Sequence, residues 1–115
     1  MLKLGGKPVL LDELVLPVAR FPDLTRDVFA RRPGTIYGLY QERYATNVVR
    51  ISERLSATLP PARIARVLGV RSSAPVLLID RTAYSYHDTP VELRTSWVDT
   101  ARHEYLSDLW KNERP

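Results

Sequence analysis

The chain has 115 residues, enough for one domain and too few for two ordinary ones. It has no cysteine, which excludes disulfides, thiolate nucleophiles and Cys-ligated zinc, and its two histidines, His87 and His103, are too few for a histidine-rich metal centre. Seventeen basic residues against 13 acidic give +4, a balance that favours phosphate or nucleic-acid contact, but pairs such as Arg26-Asp27, Glu53-Arg54 and Asp80-Arg81 make a solvated mixed surface the plainer reading.

In chain order, Leu2 to Leu4, the Gly5-Gly6 pair and Val9 to Leu16 predict a hairpin whose first strand is a stub. A three-residue strand at the start methionine reads as a chain cut from something longer. Lys7, Asp12 and Glu13 interrupt the apolar stretch, so no signal peptide is read there. Apolar runs such as Val76 to Ile79 fall far short of the roughly 20 residues a membrane span needs, and the expectation is a soluble, cytoplasmic domain. Asp12-Glu13 lies in mid-strand, so one of the two should point inward. Pro17 to Pro33 looks irregular, with Phe21 and Leu24 as core anchors.

Thr35 is a plausible N-cap for a helix from Ile36 to about Tyr44, with Ile36, Leu39, Tyr40 and Tyr44 as its apolar stripe. From Val48 to Ala57 the period changes to two, with Val49, Ile51, Leu55 and Ala57 on one side, which predicts a half-buried strand. Thr58 is the candidate cap of a second helix, with Pro60 and Pro61 in its first turn. Its buried stripe is Ile64, Val67 and Leu68, and Gly69 ends it in a left-handed cap. Val76 to Tyr86 and Val91 to Asp99 read as strands around the turn His87-Asp88-Thr89-Pro90, and Glu104 to Trp110 as a short terminal helix. Mixed helices and strands with short connections predict an α+β fold on an antiparallel sheet.

The last hairpin carries the most chemistry. If Tyr86 pairs with Val91, one face presents Val76, Leu78, Tyr84, Leu93 and Trp97, with Asp80 and Thr95 among them, ready to pack on helices. The other begins with Leu77, Ile79 and Val98 and continues with Arg81, Ser96, Arg94 and Glu92. A one-residue slip would exchange the faces. Two guanidiniums and a carboxylate are costly to bury unpaired. Either that face opens to water, or its groups pair (Arg94 with Glu92, Arg81 with Glu53), or a ligand supplies the partner, a role that suits the planar fork of arginine. The turn before Thr35 and Tyr37 is a possible anion site at a helix start, or simply a cap. No Gly-x-Ser-x-Gly context, phosphate-binding glycine loop or metal-ligand spacing appears. No catalytic residue and no cofactor are read from the sequence.

Several segments follow one another in a familiar order: Gly6-Lys7-Pro8-Val9, Leu16-Pro17, Phe21-Pro22-Asp23-Leu24, Gly34-Thr35-Ile36-Tyr37, Leu68-Gly69-Val70, Pro75 to Arg81, and Pro90 to Ser96. Together they resemble the UTRA domain, the effector-binding half of GntR-family transcriptional regulators of the HutC type. The resemblance implies a chorismate-lyase-like antiparallel sheet with helices packed against it, truncated at its N-terminal end. It implies a single ligand-sensing domain over 1–115, without the winged helix-turn-helix domain that would contact DNA. It further implies a repressor that forms homodimers and senses a small anionic metabolite, with no membrane association. Carried over residue by residue, the effector contacts would be Thr35, Tyr37, Glu92 and, with a shorter side chain than the family's glutamate, Asp12. Arg81, Arg94 and Ser96 join them through the register argument. The alternative is a chorismate-lyase-like enzyme acting on a small carboxylate.

Overall fold

The computed structural model describes residues 2–4 and 7–101. Its strands are β1 (Leu2–Leu4), β2 (Lys7–Val15), β3 (Arg50–Thr58), β4 (Val76–Tyr84) and β5 (Pro90–Val98). The helices are α1 (Arg26–Ala30), α2 (Ile36–Tyr44) and α3 (Ala62–Leu68). The strands form one sheet in the order β1-β2-β5-β4-β3, with β1 and β2 antiparallel and Leu4 opposite Lys7. This is the expected α+β class. The predicted helix over Glu104 to Trp110 lies outside the described residues.

The chain divides into two compact units, and β3, β4 and β5 contribute residues to both. In the first, which includes residues 7–14, Glu53–Arg81 and 94–101, Ile64 and Leu68 of α3 pack against Val76 and Trp97, with Leu11, Val70 and Leu78 around them. In the second, Val15–Ser52 and Thr82–Leu93, an aromatic cluster of Phe21, Tyr37 and Tyr40 closes over Val48, Ala83 and Val91. Phe21 and Tyr40 have ring centres 4.8 Å apart, and Phe21 meets Tyr44 edge-on at 5.3 Å. Tilted and edge-on rings suit the aromatic quadrupole better than a face-to-face stack. Phe21 is buried and Leu24 packs on the cluster, so the irregular segment anchors itself as expected.

Local chemistry sets the element ends. The Thr35 hydroxyl accepts from the Gly38 amide at 2.9 Å, so α2 begins at the predicted residue. Gly69 closes α3 in the left-handed conformation, φ 67°. The start of α3 departs from expectation. Pro61 is its N-cap, in extended conformation and without a side-chain bond, while Thr58 is the last residue of β3. A residue preceding proline is pushed out of the helical region, so Leu59-Pro60-Pro61 cannot wind into a first turn. The buried stripe is Ile64, Ala65 and Leu68, and Val67 is 41% exposed. At 3.6 residues per turn, Val67 lies about 100° round the helix from the middle of that stripe.

Three further expectations are corrected. Strand β3 is almost wholly exposed, Leu55 at 50%, rather than half-buried. It is an edge strand, and the apolar side of α3 is spent on β4 and β5 instead. A five-residue helix, α1, occupies part of the segment read as irregular, capped by the Thr25 hydroxyl accepting from the Val28 amide. The β4–β5 turn is tighter than four residues. The Thr89 amide donates to the Tyr86 carbonyl at 3.3 Å, and His87 (φ 62°) and Asp88 (φ 54°) between them are both left-handed. The Thr89 carbonyl accepts from the Ser85 amide at 2.8 Å, so Ser85 and Tyr86 together oppose Thr89, and the expected faces hold where Thr95 meets Asp80 and Trp97 packs with Val76.

On the face expected to meet helices, Val76, Leu78 and Trp97 do so through α3, and the Thr95 hydroxyl reaches Asp80 at 3.5 Å. Nearer the turn that expectation fails. Leu93 is 51% exposed, and Tyr84 lies under the Arg50 guanidinium at 3.9 Å. There α2 packs on Ala83 and Val91 instead.

Candidate functional site

Strand β5 places Glu92, Arg94 and Ser96 at alternate positions, and all three are buried, at 1%, 3% and 8% exposure. Alternate residues of a strand share a face, so this is a polar row inside the fold rather than a wetted surface. Burying such groups is unfavourable unless each finds a partner.

In the first unit, Ser96 bonds through its hydroxyl to Asp12 of β2. Arg81, 5% exposed on β4, donates through Nε and Nη2 to Oε2 of Glu53 at 3.1 and 2.9 Å. The pairing foreseen between Arg81 and Glu53 is therefore present. Both members of the Asp12-Glu13 pair are half-buried. Glu13 receives both Nη atoms of Arg63 at 3.0 Å and the Trp97 indole N–H at 3.4 Å. The Arg63 hydrogen bonds hold its carboxyl below the usual range against a smaller opposing effect of burial, and the same contact raises Arg63.

In the second unit, Thr35 borders a cleft of about 690 Å³ that also involves Gly34, Gly38, Gln41 and Glu42. Capping and cleft-lining coexist in the one residue. Tyr37 is fully buried within the aromatic cluster, its ring centre 5.9 Å from that of Tyr40. Glu92 accepts a hydrogen bond from the Tyr40 phenol, 2.5 Å to Oε2. In the sequence, Tyr40 reads only as part of an apolar stripe. The missed signal was its hydroxyl, since a buried tyrosine seeks an acceptor and a buried glutamate seeks a donor.

The structure thus brings Asp12 to Ser96, Arg81 to Glu53 and Glu92 to Tyr40. Among the described residues no group of three or more His, Cys, Asp or Glu is arranged to hold a metal ion. No described helix is long and apolar enough to cross a membrane.

The architecture is that of a ligand-binding α+β domain of transcriptional regulators: the ligand-binding domain of a GntR-family regulator from Bordetella bronchiseptica superposes with a TM-score of 0.81 and 32% identity, covering 90% of this chain and 65% of that one. The family model of the UTRA domain matches residues 1–104, and the chain belongs to that family. It is also similar to the HTH-type transcriptional repressor PhnF of Mycolicibacterium smegmatis, 31% identical over 98 residues. That match covers 84% of this chain and 38% of PhnF. A crystal structure of PhnF superposes with a TM-score of 0.75 at 27% identity, covering 89% of this chain and 44% of that one.

Proposed function

We propose that this domain senses a small anionic metabolite on behalf of a GntR-family repressor of the HutC type. The observation that carries the reading is the buried polar row Glu92, Arg94 and Ser96 on β5. A strand that served only the core would carry apolar residues there, since isosteric apolar packing is commonly as stable as a buried charge pair. Arg81 and Arg94 would hold the acid group by charge-assisted bonds, and Glu92 would read hydroxyls or an amine. Asp12, Thr35 and Tyr37 complete the proposed set. Likeness to regulators rather than to enzymes supports a sensor over the chorismate-lyase-like alternative.

Regulation requires the metabolite to favour one conformational state, because only a difference in affinity shifts such an equilibrium. In the full regulator, a winged helix-turn-helix domain would contact DNA, and pairing of two copies would match a two-fold operator. A thermal-shift screen against sugar phosphates, amino acids, aromatic acids and dicarboxylic acids tests the reading. At a hundred times its dissociation constant a true effector adds about 2.7 kcal/mol. Glu92→Gln and Arg94→Ala should each diminish that shift. Shifts in both variants unchanged from those of the parent protein, or steady release of pyruvate from chorismate, would overturn the proposal.

A further inference from the structure

We propose that Tyr40 is a positioning residue for Glu92, setting the direction in which that carboxylate meets the effector. The inference rests on the reading of Glu92 as an effector contact.

Tyr40 is fully buried, and its ring is held by Phe21 at 4.8 Å and Tyr37 at 5.9 Å. The phenol oxygen is therefore fixed by aromatic packing. From there it donates to Oε2 of Glu92, which is itself 1% exposed. The terminal torsion of glutamate is soft, with no sharp staggered minima, so the direction of its carboxylate follows the bonds it makes. A bond from a fixed phenol to one oxygen restrains the plane of the group and with it the direction of the other oxygen.

Phenylalanine would fill the aromatic cluster equally well. The hydroxyl is accounted for by what it bonds, since a buried hydroxyl without a partner is unfavourable. The donor also sits on the helix that Thr35 caps. Tyr40 is the fifth helical residue after the cap, a rise of about 7.5 Å at 1.5 Å per residue. One rigid element thus carries both the hydroxyl beside the cleft and the donor that orients Glu92.

The test has an arm without ligand and an arm with one. The side-chain carboxyl ¹³C resonance of Glu92, assigned by its loss in Glu92→Gln, should move in Tyr40→Phe and stay in place in Tyr44→Phe, which removes a phenol from the same cluster. An unmoved resonance in Tyr40→Phe overturns the proposal. The second arm uses glucose 6-phosphate, a probe with both an anion and hydroxyl donors, in calorimetric titration. Tyr40→Phe should weaken its binding about tenfold, and the double variant should bind no more weakly than Glu92→Gln alone. Independent, multiplying losses would overturn the proposal. Binding unaffected by Glu92→Gln, with the resonance still answering to Tyr40→Phe, would instead remove Glu92 from the effector site and so sink the functional reading beneath.

Discussion

The residues at the β4–β5 turn adopt a conformation that asparagine and glycine take more easily. His87 and Asp88 are left-handed at φ 62° and 54°. Two-residue hairpin turns with this geometry match the right-handed strand twist, and they favour Asn-Gly because other residues are strained there. The Asp88 contact with Arg50, at 3.1 Å, has its aspartate side chain 82% exposed and contributes little. Replacing the pair by His87→Asn with Asp88→Gly should stabilise the fold by about 1 kcal/mol, seen as a higher urea midpoint at unchanged slope. Lower stability would mean that the Asp88 side chain matters more than its backbone strain.

Glu13 is a residue-scale case with a pH signature. Its folded pKa lies below the unfolded value, so its contribution is fully present above the unfolded pKa and fades as pH falls through the lowered folded one. Glu13→Gln should therefore flatten part of the acid limb of the stability–pH curve below about pH 4.3, the ordinary glutamate value, and reduce the advantage at neutral pH. Both side chains of the pair are in contact with solvent, 59% exposed for Arg63 and 42% for Glu13, so the effect is small. Parallel acid limbs in the two proteins would refute the assignment.

At the scale of elements, the two longer helices depend on different ends. Helix α2 has its side-chain cap at the start, and Thr35→Ala removes an acceptor from the Gly38 amide, costing about 1 kcal/mol. Helix α3 has no side-chain cap at its start and relies on Gly69 at its end. A Cβ at Gly69 would meet nothing within 4 Å, so the cost of Gly69→Ala, about 1 kcal/mol, is that of the left-handed backbone alone. Chemical denaturation of both variants checks the pair. If Gly69→Ala is neutral while Gly69→Asn destabilises, conformation is not what this glycine supplies. The cap of α2 was legible because Pro-Gly-Thr precedes a clean helical stripe. The start of α3 was not, because two consecutive prolines stop the helix where propensity alone would have begun it.

For the whole molecule, the basic excess looks different once the folded arrangement is known. Arg31, Arg50, Arg63 and Arg81 each pair with a carboxylate. A guanidinium already held by a carboxylate is less available to a phosphate and its counterions. The chain alone should therefore bind duplex DNA weakly at physiological salt, as judged by fluorescence anisotropy. Tight binding that collapses steeply between 50 and 200 mM salt would show that the basic excess forms a DNA surface after all.

Periodicity, caps and turn residues were enough to place α2, β4, β5 and the glycine stop of α3, because these depend on interactions within a few residues along the chain. The alternation of Glu92, Arg94 and Ser96 was likewise readable, since the pleat fixes it locally. Three things had to wait for the tertiary fold: that β3 lies at a sheet edge, that Glu53 is the one of the foreseen alternatives that answers Arg81, and that the phenol of Tyr40 meets Glu92 across 52 residues of sequence. Local sequence dictates which way a side chain leaves its strand or helix. What it meets there depends on which distant element arrives, and that is decided only when the cores close.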